Sequence, residues 1–170
     1  DQTGASLVIE PVEETLKVHE NGLGVVTNSP TFDWHVTNLN NYINLNPINA
    51  EPTELRGLPL HSFGQGTGMI GLPGDFSPPS RFVRAAFFSA TALPVASTDE
   101  AVEQVFHLLN QFDIPLGAVR QKEEQGTAYD YTLLTSVKNP ETLEYFYRSY
   151  QDQTMQFVAL RQFDLNAKTI

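Results

Sequence analysis

Three polar side chains stand where the sequence allows chemistry. Asn28 closes the apolar run Gly24 to Asn28 and precedes Ser29-Pro30. There its amide can donate a hydrogen bond to negative charge developing in a cleft, or it can cap a helix that begins at Pro30. Arg81 and Arg84 lie in the first turns of an otherwise apolar helical run, just past Pro73-Gly74-Asp75. A guanidinium in apolar surroundings must find a carboxylate or carbonyls, and Asp75 is the expected partner for either arginine. Residue types and spacing leave both a catalytic and a structural role open at these positions.

Other patterns carry less. Gly66-Thr67-Gly68-Met69-Ile70-Gly71 spells G-x-G-x-x-G, but dinucleotide binding needs a strand before it and a helix after it. Pro59-Leu60-His61-Ser62-Phe63 precedes it, Leu72-Pro73-Gly74-Asp75 follows, and no Lys is placed for a P-loop. The glycines are read as serving a tightly turned loop. The four histidines, His19, His35, His61 and His107, include no pair at the i, i+4 spacing that grips zinc from one helical face, so no metal site is expected. Asp33 and His35 stand near Ser29, yet a catalytic triad is defined by spatial roles, and surface or capping roles are assigned to them. Tyr145, Tyr147 and Tyr150 follow a strand pattern and are read as packing residues rather than a base-stacking platform.

The elements that must position these side chains come from 170 residues, 41% hydrophobic and 11% aromatic, enough to bury one core. Lys plus Arg is 10 against Asp plus Glu at 20, a formal charge of −10, which leaves no cationic excess for phosphates. Nucleic acid and anionic membrane are therefore poor partners. With 0 Cys, these residues hold no disulfide, thiolate metal site or cysteine nucleophile. The longest uncharged runs, Trp34 to Ala50, Gly57 to Gly74 and Ala85 to Thr98, are broken by Asn, Pro or Gly and fall short of the ~20 apolar residues of a membrane span. Asp1-Gln2-Thr3-Gly4 has neither the basic start nor the apolar core of a signal peptide, and the lack of an initiator Met suggests a cropped or processed chain.

Along the chain, Ser6 to Glu10, Thr15 to Glu20 and Gly24 to Asn28 predict an antiparallel meander. Phe32, Val36, Leu39 and Ile43 share one helical face, which predicts a helix to about Leu45 with Pro30 at its first position. Asn46 to Gly74, with Pro47, Pro52, Pro59, Pro73 and many glycines, predicts a long ordered loop of the kind often used for function. Ser77-Pro78-Pro79-Ser80 opens a tightly packed helix to Leu93, on which Phe82, Ala85, Ala86 and Ser89 recur. Ser97 and Glu100 form a capping box ahead of Val102, Val105, Phe106, Leu109 and Phe112, a strongly amphipathic helix that ends before Pro115. After a polar loop, Gln121 to Gly126, the runs Thr127 to Val137, Leu143 to Tyr150 and Met155 to Phe163 predict a second antiparallel meander. Strands, then helices, then strands give an α+β class rather than a parallel βαβ arrangement.

Two long blocks then narrow the reading. Val26-Thr27-Asn28-Ser29-Pro30-Thr31-Phe32-Asp33-Trp34-His35 with Thr37-Asn38-Leu39-Asn40-Asn41-Tyr42 resembles the choloylglycine hydrolases. So does Phe63-Gly64-Gln65-Gly66, continuing through Gly71-Leu72-Pro73-Gly74-Asp75-Phe76-Ser77-Pro78 to Ser80-Arg81-Phe82-Val83-Arg84-Ala85. Similarity extends through Tyr129-Asp130-Tyr131-Thr132 to the final strands, so nearly the whole chain is covered. This family comprises penicillin V acylases and conjugated bile acid hydrolases. The resemblance implies an N-terminal-nucleophile αββα fold, two antiparallel sheets between helix layers. It also implies hydrolysis of a non-peptide amide through a thioester on an N-terminal Cys, with no cofactor or metal.

Carried over by motif, Asn28 matches the Asn whose side chain helps form the oxyanion hole. Arg81 matches the Arg that follows Leu-Pro-Gly-Asp and supports the nucleophile's electrostatics, and Arg84 receives no catalytic role. The family's Cys and its companion Arg, Asp and second Asn belong to an N-terminal half, so residues 1–170 are expected to be the C-terminal part of one hydrolase domain, inactive alone. The implied partners are that N-terminal half, a small-molecule amide (penicillin V, a conjugated bile acid or an N-acyl homoserine lactone) and further copies in a homo-oligomer, a tetramer among the options. Phe63-Gly64-Gln65-Gly66 and Gly74-Asp75-Phe76 lean toward the penicillin V acylases. The compartment, bacterial cytoplasm or periplasm, is left to residues outside this sequence. The competing expectation is a non-catalytic scaffold or binding homologue without the nucleophile, favoured by 0 Cys and opposed by Asn28 and Arg81.

Overall fold

Leu7–Val12 (β1) and Thr15–Glu20 (β2) form an antiparallel hairpin in which Val8 faces His19 and Ile9 faces Val18. The pleat sends Val8 and His19 to one side and Leu7, Ile9, Leu16 and Val18 to the other. These are seen in a computed structural model that describes residues 5–164 and 167. Val8 is buried, whereas Ile9, Leu16 and Val18 are 59%, 70% and 59% exposed, so the hairpin packs through Val8 on a mixed side and leaves its apolar side uncovered. The expected third strand does not form: Gly24 to Asn28 carries no strand, and among the described residues this sheet has two strands. Gly24 takes φ +67, which interrupts the extended backbone, and Val26 is left 61% exposed.

The first helix, α1, spans Phe32–Asn38 and is followed by one 3-10 turn, Leu39–Tyr42. It is shorter than the helix to Leu45 that the spacing predicts. Asn40 Nδ2 donates to Thr37 O (2.8 Å) and Asn41 Nδ2 to Asn38 Oδ1 (3.0 Å), so the Asn-rich segment satisfies itself through side chains. Pro30 lies outside the helix, across a cis peptide bond from Ser29, and Thr31 is the N-cap residue. The leading N–H of α1 is met from a distance: Glu10 on β1 accepts from Phe32 N through both carboxylate oxygens, at 2.9 and 3.1 Å.

Within the predicted loop, Thr53–Leu55 (β3) and Leu58–Leu60 (β4) pair as a small hairpin. Its turn, Arg56-Gly57, has φ of 50 and 82. That left-handed pair suits a tight reversal. The glycine loop folds back on itself. Asn49 Oδ1 accepts from Gly66 N and Thr67 N, Asn46 N donates to Gly68 O, and a Cβ on Gly68 would sit 2.0 Å from Ile48 O. Tight backbone crossing therefore accounts for Gly68, and left-handed φ of 90 and 97 accounts for Gly66 and Gly71, so the glycines serve a tightly turned loop as the sequence suggests.

Helix α2, Pro78–Thr91, buries Phe82, Val83 and Ala86. Phe82 meets Phe32 edge-on at 6.0 Å, and with Val8 and Ala86 they form the core of the first unit, flanked by Val25 and Leu39. Complete burial of Phe82 alone stabilises by about 2–3 kcal/mol.

The second unit runs from Leu93 onward. Helix α3, Thr98–Leu109, starts at the predicted N-cap: Ser97 Oγ accepts from Glu100 N (3.2 Å), while the return bond shifts by one residue, Glu100 Oε2 accepting from Ala96 N (2.8 Å) rather than from Ser97 N. Val102 and Phe106 are buried, and a 3-10 turn, Asn110–Phe112, ends the segment before Pro115. Val119–Glu123 (β5) and Gly126–Asp130 (β6) form a hairpin, so the segment Gln121 to Gly126 is mostly strand rather than loop. Leu134–Asn139 (β7), Glu144–Ser149 (β8) and Gln156–Ala159 (β9) make an antiparallel sheet in the order β7-β8-β9.

The single run expected from Thr127 to Val137 is split at Thr132, whose N–H bonds Ile114 O and whose Oγ1 accepts from Ile114 N. Tyr150 accepts from Leu116 N at 3.0 Å, and Tyr145 packs beside Tyr147, which fits their reading as structural aromatics. The class is α+β, as expected. Among the described residues no helix is long and apolar enough to cross a membrane.

Candidate functional site

The chain from Thr27 to Thr31 turns back over α1 before entering it, which brings the Asn28 peptide above His35. His35 Nε2 lies 2.8 Å from Asn28 O, so this nitrogen carries hydrogen and donates to the carbonyl. Thr27 Oγ1 donates to Pro78 O at 3.3 Å and stands 3.3 Å from the same His35 nitrogen. His35 also stacks on Phe82, with ring centroids 4.8 Å apart and 12° between planes. It is 2% exposed. The surface or capping role expected for it is therefore corrected. No triad forms either, since Asp33 is engaged with Thr31, with Trp34 N at 2.9 Å and with Lys17 at 3.7 Å.

The Asn28 side chain is held separately. Arg81 Nη2 donates to Asn28 Oδ1 at 2.5 Å, and Arg81 Nε donates to Phe76 O at 3.0 Å. The alternative that Asn28 caps the following helix is excluded, because α1 begins at Phe32 with Thr31 as its N-cap. With Oδ1 occupied by the guanidinium, Asn28 Nδ2 is turned away from Arg81, and it meets no acceptor among the described residues. Two residues singled out in the sequence are thus brought together from 53 positions apart.

The loop before α2 supplies the base of this arrangement. Asp75 does not take the arginines in the expected carboxylate pair. Its Oδ1 accepts from Ser77 N (2.9 Å) and its Oδ2 from Ser80 Oγ (2.6 Å). Hydrogen bonds from the Ser77 side chain, the Ser80 hydroxyl and the Ser77 backbone hold the Asp75 carboxyl down at about 2. Arg84 Nη1 donates instead to the Pro73 and Asp75 carbonyls, both at 2.7 Å. Burial lowers the Arg84 guanidinium from its usual range and neighbouring Arg81 adds to this, while Asp75 opposes it. Arg84 therefore locks Pro73 to Asp75 onto α2, which places Phe76 O where Arg81 Nε meets it.

His35 is the residue that spacing misassigned. The predicted helical face runs through Val36 and Ile43, but Val36 is 39% and Ile43 84% exposed, and the buried pair on α1 is Phe32 and His35. The signal that could have found it is the i, i+3 step from Phe32.

The geometry offers an outward amide donor braced by a fixed cation, suited to stabilising negative charge. No group of three or more His, Cys, Asp or Glu side chains that could hold a metal occurs among the described residues. A model of the linear amide C-N hydrolases, choloylglycine hydrolase family, matches residues 1–170. The chain belongs to this family.

Among choloylglycine hydrolase relatives, a bile salt hydrolase/transferase from Clostridium perfringens is 38% identical over 170 residues, covering 100% of this chain and 51% of the relative. The crystal structure of a mutant conjugated bile acid hydrolase from the same organism superposes with a TM-score of 0.86 at 36% identity, over 98% of this chain and 50% of that one. A penicillin V acylase from Agrobacterium tumefaciens shares the fold, with a TM-score of 0.72 at 22% identity over 99% of this chain and 46% of that one. The chain spans about half the length of the curated relatives it matches.

Proposed function

We propose that residues 1–170 form the C-terminal part of a single N-terminal-nucleophile hydrolase domain that cleaves a linear, non-peptide amide. The observation that carries this reading is the Arg81 to Asn28 contact, which presents Asn28 Nδ2 as a donor beside a fixed positive charge. In the proposed reaction an N-terminal Cys, contributed by the other half, loses its thiol proton to its own α-amine, and the sulfur attacks the amide carbonyl. The carbonyl electron pair moves onto oxygen, and Asn28 Nδ2 donates to that oxyanion. Collapse re-forms the C=O bond and expels the amine, which takes the proton. Water then cleaves the thioester to release the acid and restore the thiol. Arg81 holds Asn28 Oδ1 throughout, so the donor needs no reorientation when charge develops.

Two features support a companion half. Relatives are about twice as long as this chain. The Ile9, Leu16 and Val18 face of the β1–β2 hairpin is apolar and uncovered, as expected of a sheet surface meant to pack against further chain. We place a conjugated bile acid ahead of penicillin V as substrate, because on superposition identity is 36% to the conjugated bile acid hydrolase and 22% to the penicillin V acylase. This shifts the lean drawn from Phe63-Gly64-Gln65-Gly66, and N-acyl homoserine lactones stay within the same amide class. A homo-oligomer, with no cofactor or metal required, completes the proposal.

The test is release of glycine from glycocholate by the full-length protein. Turnover that falls about a hundredfold in Asn28→Ala, with the fold retained, supports the reading. A full-length protein that binds these amides without cleaving them favours the non-catalytic scaffold.

A further inference from the structure

We propose that His35 is a positioning residue, setting the place of the Asn28 donor through the Asn28 main chain. This rests on the hydrolase reading for its kinetic consequences but not for its structural one. Asn28 is gripped at two points by two different helices: Arg81 of α2 holds the side-chain oxygen at 2.5 Å, and His35 of α1 holds the backbone carbonyl at 2.8 Å. A guanidinium fixes which way the amide faces, but it cannot fix where Cα stands. That is left to the carbonyl anchor, because the Asn28 peptide lies outside every regular element and has no ladder partner among the described residues.

The choice of residue argues the same way. His35 is 2% exposed and stacked on Phe82, a position that Phe or Leu could fill. An imidazole there leaves Nδ1 buried with no hydrogen-bond partner, a penalty that an apolar ring avoids. What the imidazole adds is the Nε2–H donor to Asn28 O. Thr27 ties the same point to the start of α2 through Pro78 O, so the anchor joins both helices that frame the donor.

The experiment compares three variants of the full-length enzyme. His35→Phe keeps the stack and deletes the donor. His35→Gln retains an amide nitrogen near the Nε2 position, and His35→Asn carries one too short to reach. With a misplacement of an ångström enough for large rate losses, kcat is expected to fall about tenfold or more in His35→Phe and His35→Asn, with KM within about twofold of wild type. His35→Gln is expected to recover most of the loss. A kcat within twofold of wild type in His35→Phe, or equal turnover by the Gln and Asn variants, overturns the proposal. If His35→Phe does not fold, the Gln and Asn pair decides alone.

Crystal structures provide a readout independent of activity. The Asn28 carbonyl should shift and the Arg81 to Asn28 hydrogen bond should be lost in His35→Asn. An unmoved Asn28 refutes the role whatever the turnover. If Asn28→Ala leaves turnover unchanged, the hydrolase reading falls, while the structures still decide the anchor.

Discussion

Arg81 Nη2 stands 2.5 Å from Asn28 Oδ1, and this one contact decides the orientation of the Asn28 amide. A guanidinium has only hydrogens to offer, so the end of the amide facing it must be oxygen and the free end must be NH2. Had a carboxylate or carbonyl stood in place of Arg81, the amide would present an acceptor outward, useless to an oxyanion.

Arg81→Ala should therefore lower turnover by about tenfold or more, because the amide is free to turn over, while the fold loses about 1 kcal/mol from the Phe76 carbonyl bond. Arg81→Lys keeps the charge but cannot span Phe76 O and Asn28 Oδ1 together, so an intermediate loss is expected. Steady-state kinetics read both. A change in KM alone, with kcat untouched, contradicts the orienting role.

Arg84 should behave in the opposite sense. Replacement by Leu removes two 2.7 Å hydrogen bonds and leaves the Pro73 and Asp75 carbonyls facing an apolar side chain. We expect about 2–4 kcal/mol of destabilisation, seen in chemical unfolding, with a smaller loss of kcat per folded molecule than in Arg81→Ala. Unchanged stability contradicts the bracing role given to Arg84.

Asp75 carries a pH signature. Its folded carboxyl, held at about 2, lies below the usual 3.8, so its stabilisation is present above pH 4 and disappears as pH falls toward 2. The group is exposed, and solvent screening limits the effect to about 1 kcal/mol. Asp75→Asn should thus be less stable than wild type at pH 7, with the gap closing between pH 4 and pH 2. Unfolding curves at pH 7, 4 and 2 check this, and a gap that widens on acidification contradicts it.

Local chemistry made some of this legible in the sequence. Helix α3 follows from Ser97, Glu100 and an unambiguous apolar spacing, and the glycine loop follows from its prolines and glycines. Asn28 and Arg81 stood out as residue types in unusual company. Their contact did not, because it closes over 53 residues and no local pattern encodes it. The same holds for the start of α1, met by Glu10 from 22 positions away. His35 escaped because a helix of 7 residues makes barely two turns, too few to fix which face is buried. Gly24 to Asn28 was expected to be a strand on composition, but a strand also needs a paired neighbour, and the structure gives this run none among the described residues.

Asn28→Asp in the full-length enzyme separates donor from anchor in a single substitution. The carboxylate still accepts from Arg81, so the contact and the fold should survive, but no hydrogen remains to donate to the proposed oxyanion. Glycocholate turnover is predicted to drop about a hundredfold or more, as far as in Asn28→Ala, while a crystal structure shows Arg81 in place. Near-normal turnover of both glycocholate and penicillin V by Asn28→Asp would contradict it.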